Sequence, residues 1–184
     1  MTTSAPPSPT HDDILTQWRA GEATVLARQQ PDTGLASRAM LAGKTGLQQM
    51  QAMLDGLAPR PPISETLDFM LISIADGECV FQGRPQFKHY NPLGSVHGGW
   101  FATLLDSALG CSVHTTLPVG RGYTTLEFKV NLVRALTDQV PLVRARGHVV
   151  HRGRQVTTAE AELVGHDGRL YAHASTTCLL FDQK

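Results

Sequence analysis

Between Asn91 and Asp106 the chain reads N-P-L-G-S-V-H-G-G-W-F-A-T-L-L-D, a glycine-rich turn opening an apolar helix that carries one acid. Three kinds of group in this run suit acyl chemistry. The backbone N–H groups of Gly98 and Gly99 fall at the start of the helix, where unpaired donors and the helix dipole favour an anion or the oxygen of a carbonyl under attack. The carboxylate of Asp106 can act as a base or a nucleophile. The imidazole of His97 either contacts substrate or fixes the turn through a ring hydrogen bond. Two adjacent glycines let the chain turn sharply and bring its backbone close to a ligand, although they equally permit tight packing of the helix on a sheet.

The helix has to place these groups. From Trp100 to Val113 apolar residues occupy every face, interrupted only by Thr103, Asp106, Ser107, Gly110 and Ser112. A helix apolar all round is a buried one, and this one falls short of the roughly 20 apolar residues of a membrane span. Asp106 is therefore expected to be desolvated, which demands a hydrogen-bond partner, a raised pKa or a cleft. The plainer alternative is an acid at a helix edge, facing water. Gly98 and Asp106 are eight positions apart, or about 12 Å along the axis. A base must come within about 3 Å of its target, so one helix cannot supply both groups to one substrate. A second copy of the helix, antiparallel across a two-fold axis, would complete two identical sites.

Asn91, Gly94, His97-Gly98-Gly99 and an acid nine residues after the histidine resemble the hotdog-fold acyl-CoA thioesterases of the PaaI type, which include the HGG-bearing 4-hydroxybenzoyl-CoA thioesterases. The likeness runs from about Pro62 to the C-terminus and takes in Tyr123-Thr124-Thr125-Leu126-Glu127-Phe128-Lys129-Val130-Asn131. It implies hydrolysis of an acyl-CoA to a carboxylic acid and free coenzyme A. It implies no metal or redox cofactor, coenzyme A being part of the substrate. By the same resemblance Gly98 N–H polarises the thioester carbonyl, Asp106 of the facing subunit is base or nucleophile, and Asn91 helps place water or substrate. Thr125 matches a position where some relatives carry a hydroxyl that positions the water, while a Thr in a strand is more often there for packing. His97 and Gly99 join Thr125 as expected substrate-binding residues. The resemblance also implies a homodimer or homotetramer. Asp106 is the shorter of the two acids the family uses and leaves the acyl group open.

Two other functions compete. The hotdog enoyl-CoA hydratases carry Asp-x-Asn-Pro-apolar-His, but here His89 stands at the acid position and Gly94 at that of the histidine, so both catalytic groups are missing. A non-catalytic acyl-CoA binding or regulatory module on the same scaffold would have no need of a buried acid.

The rest of the chain frames the site. With 184 residues it makes one domain plus an extension. Sixteen basic and sixteen acidic residues cancel, so no global field draws nucleic acid or an anionic membrane. Charged residues make up 17% against about 25% in typical domains, which favours an oligomer that hides surface. Cys79, Cys111 and Cys178 give neither a disulfide framework nor zinc spacing and suit a reducing cytoplasm. Residues 1–10 read as a disordered tail without the features of a signal peptide. Residues 11–61 read as a helical extension, broken at Pro31-Asp32-Thr33-Gly34 and carrying an apolar stripe of Leu47, Met50, Met53, Leu54 and Leu57 that covers either the core or a substrate channel.

Residues 62–184 form the main domain. Strands are expected at Thr66 to Ile74, Cys79 to Phe87, Tyr123 to Val133, Leu142 to Val150, Gln155 to Val164 and Leu170 to Phe181. One long buried helix among about six antiparallel strands is an α+β domain whose sheet curls around the helix, in agreement with the hotdog resemblance. Gly43-Lys44-Thr45 fails as a phosphate loop because Arg38 occupies the first glycine position and no strand precedes it. His148 and His151, three apart in a strand, point to opposite faces, which argues against a metal there. Arg152 and Arg154, near a hairpin tip, are candidate ligands for the phosphates of coenzyme A; the alternative is a solvated hairpin.

Overall fold

The computed structural model describes residues 8–30 and 32–183. Residues 1–7 of the expected tail, and Pro31 of the expected break, lie outside the described residues. The extension carries α1 (His11–Leu26), α2 (Arg38–Leu41) and α3 (Gly46–Leu54), followed by a short α4 (Pro62–Thr66). Polar caps start the first three: Thr10 with Asp13, Ser37, and Thr45 with Gln48 satisfy first-turn N–H groups. Pro62 opens α4 at a position where a missing N–H costs nothing.

The main domain is one antiparallel sheet wrapped around a central helix. Its strands are β1 (Phe69–Ala75), β2 (Glu78–Gly83), β3 (Arg121–Leu132), β4 (Val143–Arg152), β5 (Val156–Gly165) and β6 (Leu170–Asp182), in the spatial order β1-β2-β4-β5-β6-β3. The helix α5 (Gly98–Thr115) packs against all six strands. Its Leu104, Leu105, Leu109 and Val113 are completely buried, each contributing about 1.5–3 kcal/mol relative to exposure. The sheet floor beneath is built from small residues, Ala145, Ala159, Ala161, Ala172 and Ala174, which lets the helix sit close. At Gly147 the approach leaves no room for a side chain, since a Cβ there would lie 2.3 Å from the carbonyl oxygen of Ala108.

The extension packs on this core. Met50 of α3 is buried among Phe69, Leu71 and Cys79, and Gln49 Oε1 lies 2.9 Å from His114 Nε2 near the end of α5. Trp18 of α1 forms a small separate cluster with Leu142 and Val164, with the guanidinium of Arg144 4.4 Å above its ring. The apolar stripe of α3 thus covers core, and Leu57 of that stripe is 68% exposed.

Several expected boundaries move for identifiable reasons. The first strand begins at Phe69 rather than Thr66 because the Pro61-Pro62 start carries helix through Thr66. The second ends at Gly83 rather than Phe87; Pro85 has no N–H to give a ladder, and Phe87–His89 forms a 3-10 turn instead. The central helix gains residues at both ends because His97 caps it and Thr115 and Thr116 still find carbonyl acceptors. Gly98 and Gly99 are not the sharp turn expected of them. They are the first two helical residues, and the left-handed residue of the loop is Gly94 at φ +85.

Candidate active site at the start of the central helix

The loop from Asn91 to His97 fastens itself. Asn91 Oδ1 accepts from Leu93 N at 2.9 Å and from Ser95 N at 3.4 Å, and Asn91 Nδ2 donates to Ser95 Oγ at 3.2 Å. The Asn91 amide is thus engaged within its own turn, and Ser95, which the sequence reading passed over, is its main partner. Gly94 supplies the positive φ that closes the turn. Val96 N–H donates to Leu136 O at 2.9 Å and His97 N–H to His89 O at 2.8 Å, tying the loop to two neighbouring segments.

At the helix start the donors are almost all spent. Gly99 N–H donates to His97 Nδ1 at 2.9 Å, which requires the Nε2–H tautomer of that ring, and Trp100 N–H donates to His97 O at 2.9 Å. From Gly94 to Trp100, among the described residues, every backbone N–H has an acceptor except that of Gly98. Such a donor, at the positive end of an eighteen-residue helix, is suited to an anionic oxygen. Clearance at both glycines is tight. A Cβ at Gly98 would meet Leu132 Cδ1 at 3.0 Å, and one at Gly99 would meet His97 Nδ1 at 3.0 Å. His97 and Gly99 therefore serve each other here, leaving Gly98 as the open donor.

Asp106 lies two turns further along, half-buried. Burial pushes its carboxyl above the usual carboxylate range, and the hydroxyl of Thr125 pulls it part of the way back. Thr125 Oγ1 donates to Asp106 Oδ1 over 3.4 Å. The pairing of β3 with β6 slips between Thr125 and Glu127, leaving Leu126 as a bulged residue 56% exposed; bulges commonly re-aim side chains beside active sites. Tyr123 stands on the same side, its phenol pushed well up by burial and by the thiols and acid around it. Asp106 thus faces β3, the last strand of the sheet.

Arg152 and Arg154 sit elsewhere. Arg152 Nη2 is 2.9 Å from Asp76 Oδ2 across the β1–β2 turn, and the neighbouring Gly77 N–H bonds Thr115 Oγ1 at the C-terminal end of α5. Arg154 is exposed, and its carbonyl accepts from Arg121. Within one protomer this hairpin tip lies at the opposite end of α5 from Gly98. Among the described residues no group of His, Cys, Asp and Glu is arranged to hold a metal ion, and no helix is long and apolar enough to cross a membrane.

A curled antiparallel sheet around one helix, with an open amide at the helix start and a half-buried acid on its flank, defines a hotdog protein equipped for acyl-group chemistry. Comparison with known proteins makes the class specific. The thioesterase superfamily profile matches residues 93–172. A phenylacetic acid degradation-related protein of Ralstonia eutropha is 30% identical, aligning 70% of this chain with 97% of its own at a TM-score of 0.64. A mutant of the phenylacetic acid degradation protein PaaI from Thermus thermophilus is 28% identical, over 64% of this chain and 97% of its own, at a TM-score of 0.58. A hypothetical thioesterase from Streptococcus pneumoniae, solved with coenzyme A, shares the fold at 24% identity, over 64% of this chain and 88% of its own, at a TM-score of 0.56. No curated protein matches. The chain belongs to the hotdog-fold thioesterase superfamily, alongside PaaI-type proteins.

Proposed function

We propose that this thioesterase hydrolyses an acyl-CoA at two equivalent sites, each shared between two copies of the chain. The observation that carries the reading is the open N–H of Gly98, the first residue of α5, together with a half-buried acid eight residues on that cannot reach it within one copy. The edge beside the acid favours a second copy. β3 ends the sheet, runs for twelve residues, and exposes Leu126, Phe128, Leu132 and the adjoining Val133; a long apolar edge strand in water is an invitation to pair. The coenzyme A held by the Streptococcus pneumoniae neighbour supports the choice of thioester.

In the proposed reaction the carbonyl oxygen of the substrate accepts from Gly98 N–H. Asp106 of the second copy removes a proton from water as the oxygen attacks the carbonyl carbon, or attacks that carbon itself to form a mixed anhydride. The negative charge that develops on the carbonyl oxygen is held by Gly98. Collapse breaks the C–S bond; on the base path the departing thiolate takes up the proton that Asp106 removed from water, and on the anhydride path it takes a proton from a water whose hydroxyl cleaves the anhydride, releasing the acid and restoring the Asp106 carboxylate. Thr125 supports Asp106 in its charged form, and Asn91 and His97 hold the loop that presents Gly98. Arg152 and Arg154 remain candidates for the coenzyme A phosphates. No cofactor takes part, and three free cysteines fit a cytoplasmic setting.

The test is release of free thiol from a panel of acyl-CoAs, followed with a chromogenic disulfide, for the wild type and D106N. Asn keeps the shape of Asp and removes its basicity, so turnover should fall at least about a hundredfold. Retention of most turnover in D106N would dismiss the assignment. Tight binding without turnover by the wild type would identify a binding module instead.

A further inference from the structure

We infer that His89, held by Asp68, is a positioning residue for the oxyanion donor: the pair fixes the loop leading into α5 so that the Gly98 N–H is presented in one place. The inference rests on the reading of Gly98 given above and adds two residues to it. His89 is nearly fully enclosed, with 2% of its side-chain surface exposed.

Each polar atom of His89 is used for anchorage. Nδ1 accepts from Gln86 N–H at 3.1 Å, which leaves the proton of the neutral ring on Nε2. Nε2 lies 2.9 Å from Asp68 Oδ2, and Lys88 Nζ lies 2.7 Å from the same oxygen. Neither contact has the angle of a good hydrogen bond, so the link is chiefly electrostatic. Burial holds the ring below the ordinary histidine range while Asp68 pulls the other way. The backbone carbonyl of His89 accepts from His97 N–H at 2.8 Å, and His97 is the residue that caps α5 and directly precedes Gly98.

A second path reaches the helix from the same base. The His89 ring stacks on Trp100, with centroids 5.4 Å apart and 26° between planes, and Trp100 Nε1 donates to Leu67 O at 2.8 Å. Leu67 and Asp68 therefore hold both His89 and the third residue of α5. Asp68 does this from φ +52, a left-handed conformation rare outside glycine. Such a conformation is strained and persists only where its surroundings enforce it; here its carbonyl accepts from Arg84 N–H at 3.0 Å. Two anchors thus define where the first turn of α5 begins. A displacement of about 1 Å at a reacting group can cost about a hundredfold in rate, so a brace of this kind acts on turnover more than on binding.

The test uses the full-length protein and steady-state thiol release from its best acyl-CoA, with H89A, H89Q, D68N and D106N measured side by side. H89A should lose about 10- to 100-fold in kcat with KM within about twofold. H89Q, whose amide NH2 can face the Asp68 carboxylate as the ring N–H does, should recover at least about fivefold over H89A. D68N keeps the shape, removes the charge, and should lower kcat about 3- to 10-fold with native circular dichroism, so it carries the test if H89A fails to fold. Wild-type kcat in D68N or H89A, a loss expressed in KM alone, or no recovery in H89Q would overturn the inference. A D106N enzyme that turns over normally would instead bring down the reading of the site itself, whatever His89 does.

Discussion

If each site combines Gly98 of one copy with Asp106 of the other, two inactive variants should restore each other. D106N removes the acid. G98P removes the open N–H of that residue, and the structure tolerates it: Gly98 is the first helical residue, where proline is at home, and His97 before it has ψ 138, the extended conformation that a following proline demands. The side chain at position 98 would press only on the mobile tip of Leu132. Loss of one oxyanion donor costs about a hundred- to a thousandfold, so each variant alone should retain about 1% of activity or less. When the two are co-expressed in equal amounts, about half of the dimers are mixed, and each mixed dimer has one intact site and one carrying both lesions. Activity should therefore rise to about a quarter of wild type and follow a parabola in the mixing ratio. The assay is thiol release from tag-purified mixtures whose heterodimer content is verified by double affinity capture. Mixed dimers no more active than their parents would show that the groups act within one copy and would refute the shared site.

Further outcomes are specific to single residues. T125V removes the only hydroxyl that favours the charged form of Asp106, so the acidic limb of kcat/KM should move to higher pH relative to wild type. Because burial raises the Asp106 pKa above its unfolded value, the native state binds that proton more tightly. Stability from this group is therefore full below the ordinary carboxylate pKa and is lost as pH rises through the raised one; D106N should flatten that slope in Tm against pH and melt no lower than wild type at pH 7. G147A places a Cβ 2.3 Å from the Ala108 carbonyl and should destabilise by about 1–3 kcal/mol or more in urea unfolding. L126K or F128E on the exposed edge of β3 should yield monomers in sedimentation and lose turnover in the same proportion; an active monomer would contradict both.

What could be read from the chain was whatever lies close together along it. The run Trp100 to Val113 announces a buried helix by its composition, and the turn pairs around Asp76-Gly77 and Asp167-Gly168 separate strands that the structure also separates. The Asn91–Asp106 motif, a single stretch of sixteen residues, was sufficient to suggest the family. Contacts between distant segments were not legible. The meeting of Thr125 with Asp106 depends on the register of β3 beside α5 and on a bulge at Leu126, neither of which leaves a trace in local pattern. The ion pair of Arg152 with Asp76 joins residues far apart in sequence. Asp68 carries no signal at all, since its role depends on a backbone conformation and on a histidine from another segment. The glycine pair was visible, but its purpose was not: the residue types alone do not separate a turn from a clearance.

The two ends of the sheet are unlike each other. β1 is seven residues long, interrupted by a register shift after Leu71, and flanked by α1, α3 and α4, whereas β3 is long and bare. A molecule with one adhesive margin and one finished margin can join to a like partner only once. If two copies associate through β3 as proposed, the association would stop at a closed pair and would not propagate into a ribbon. The helices before the sheet, which take no part in the proposed chemistry, would in this way set the size of the particle that performs it.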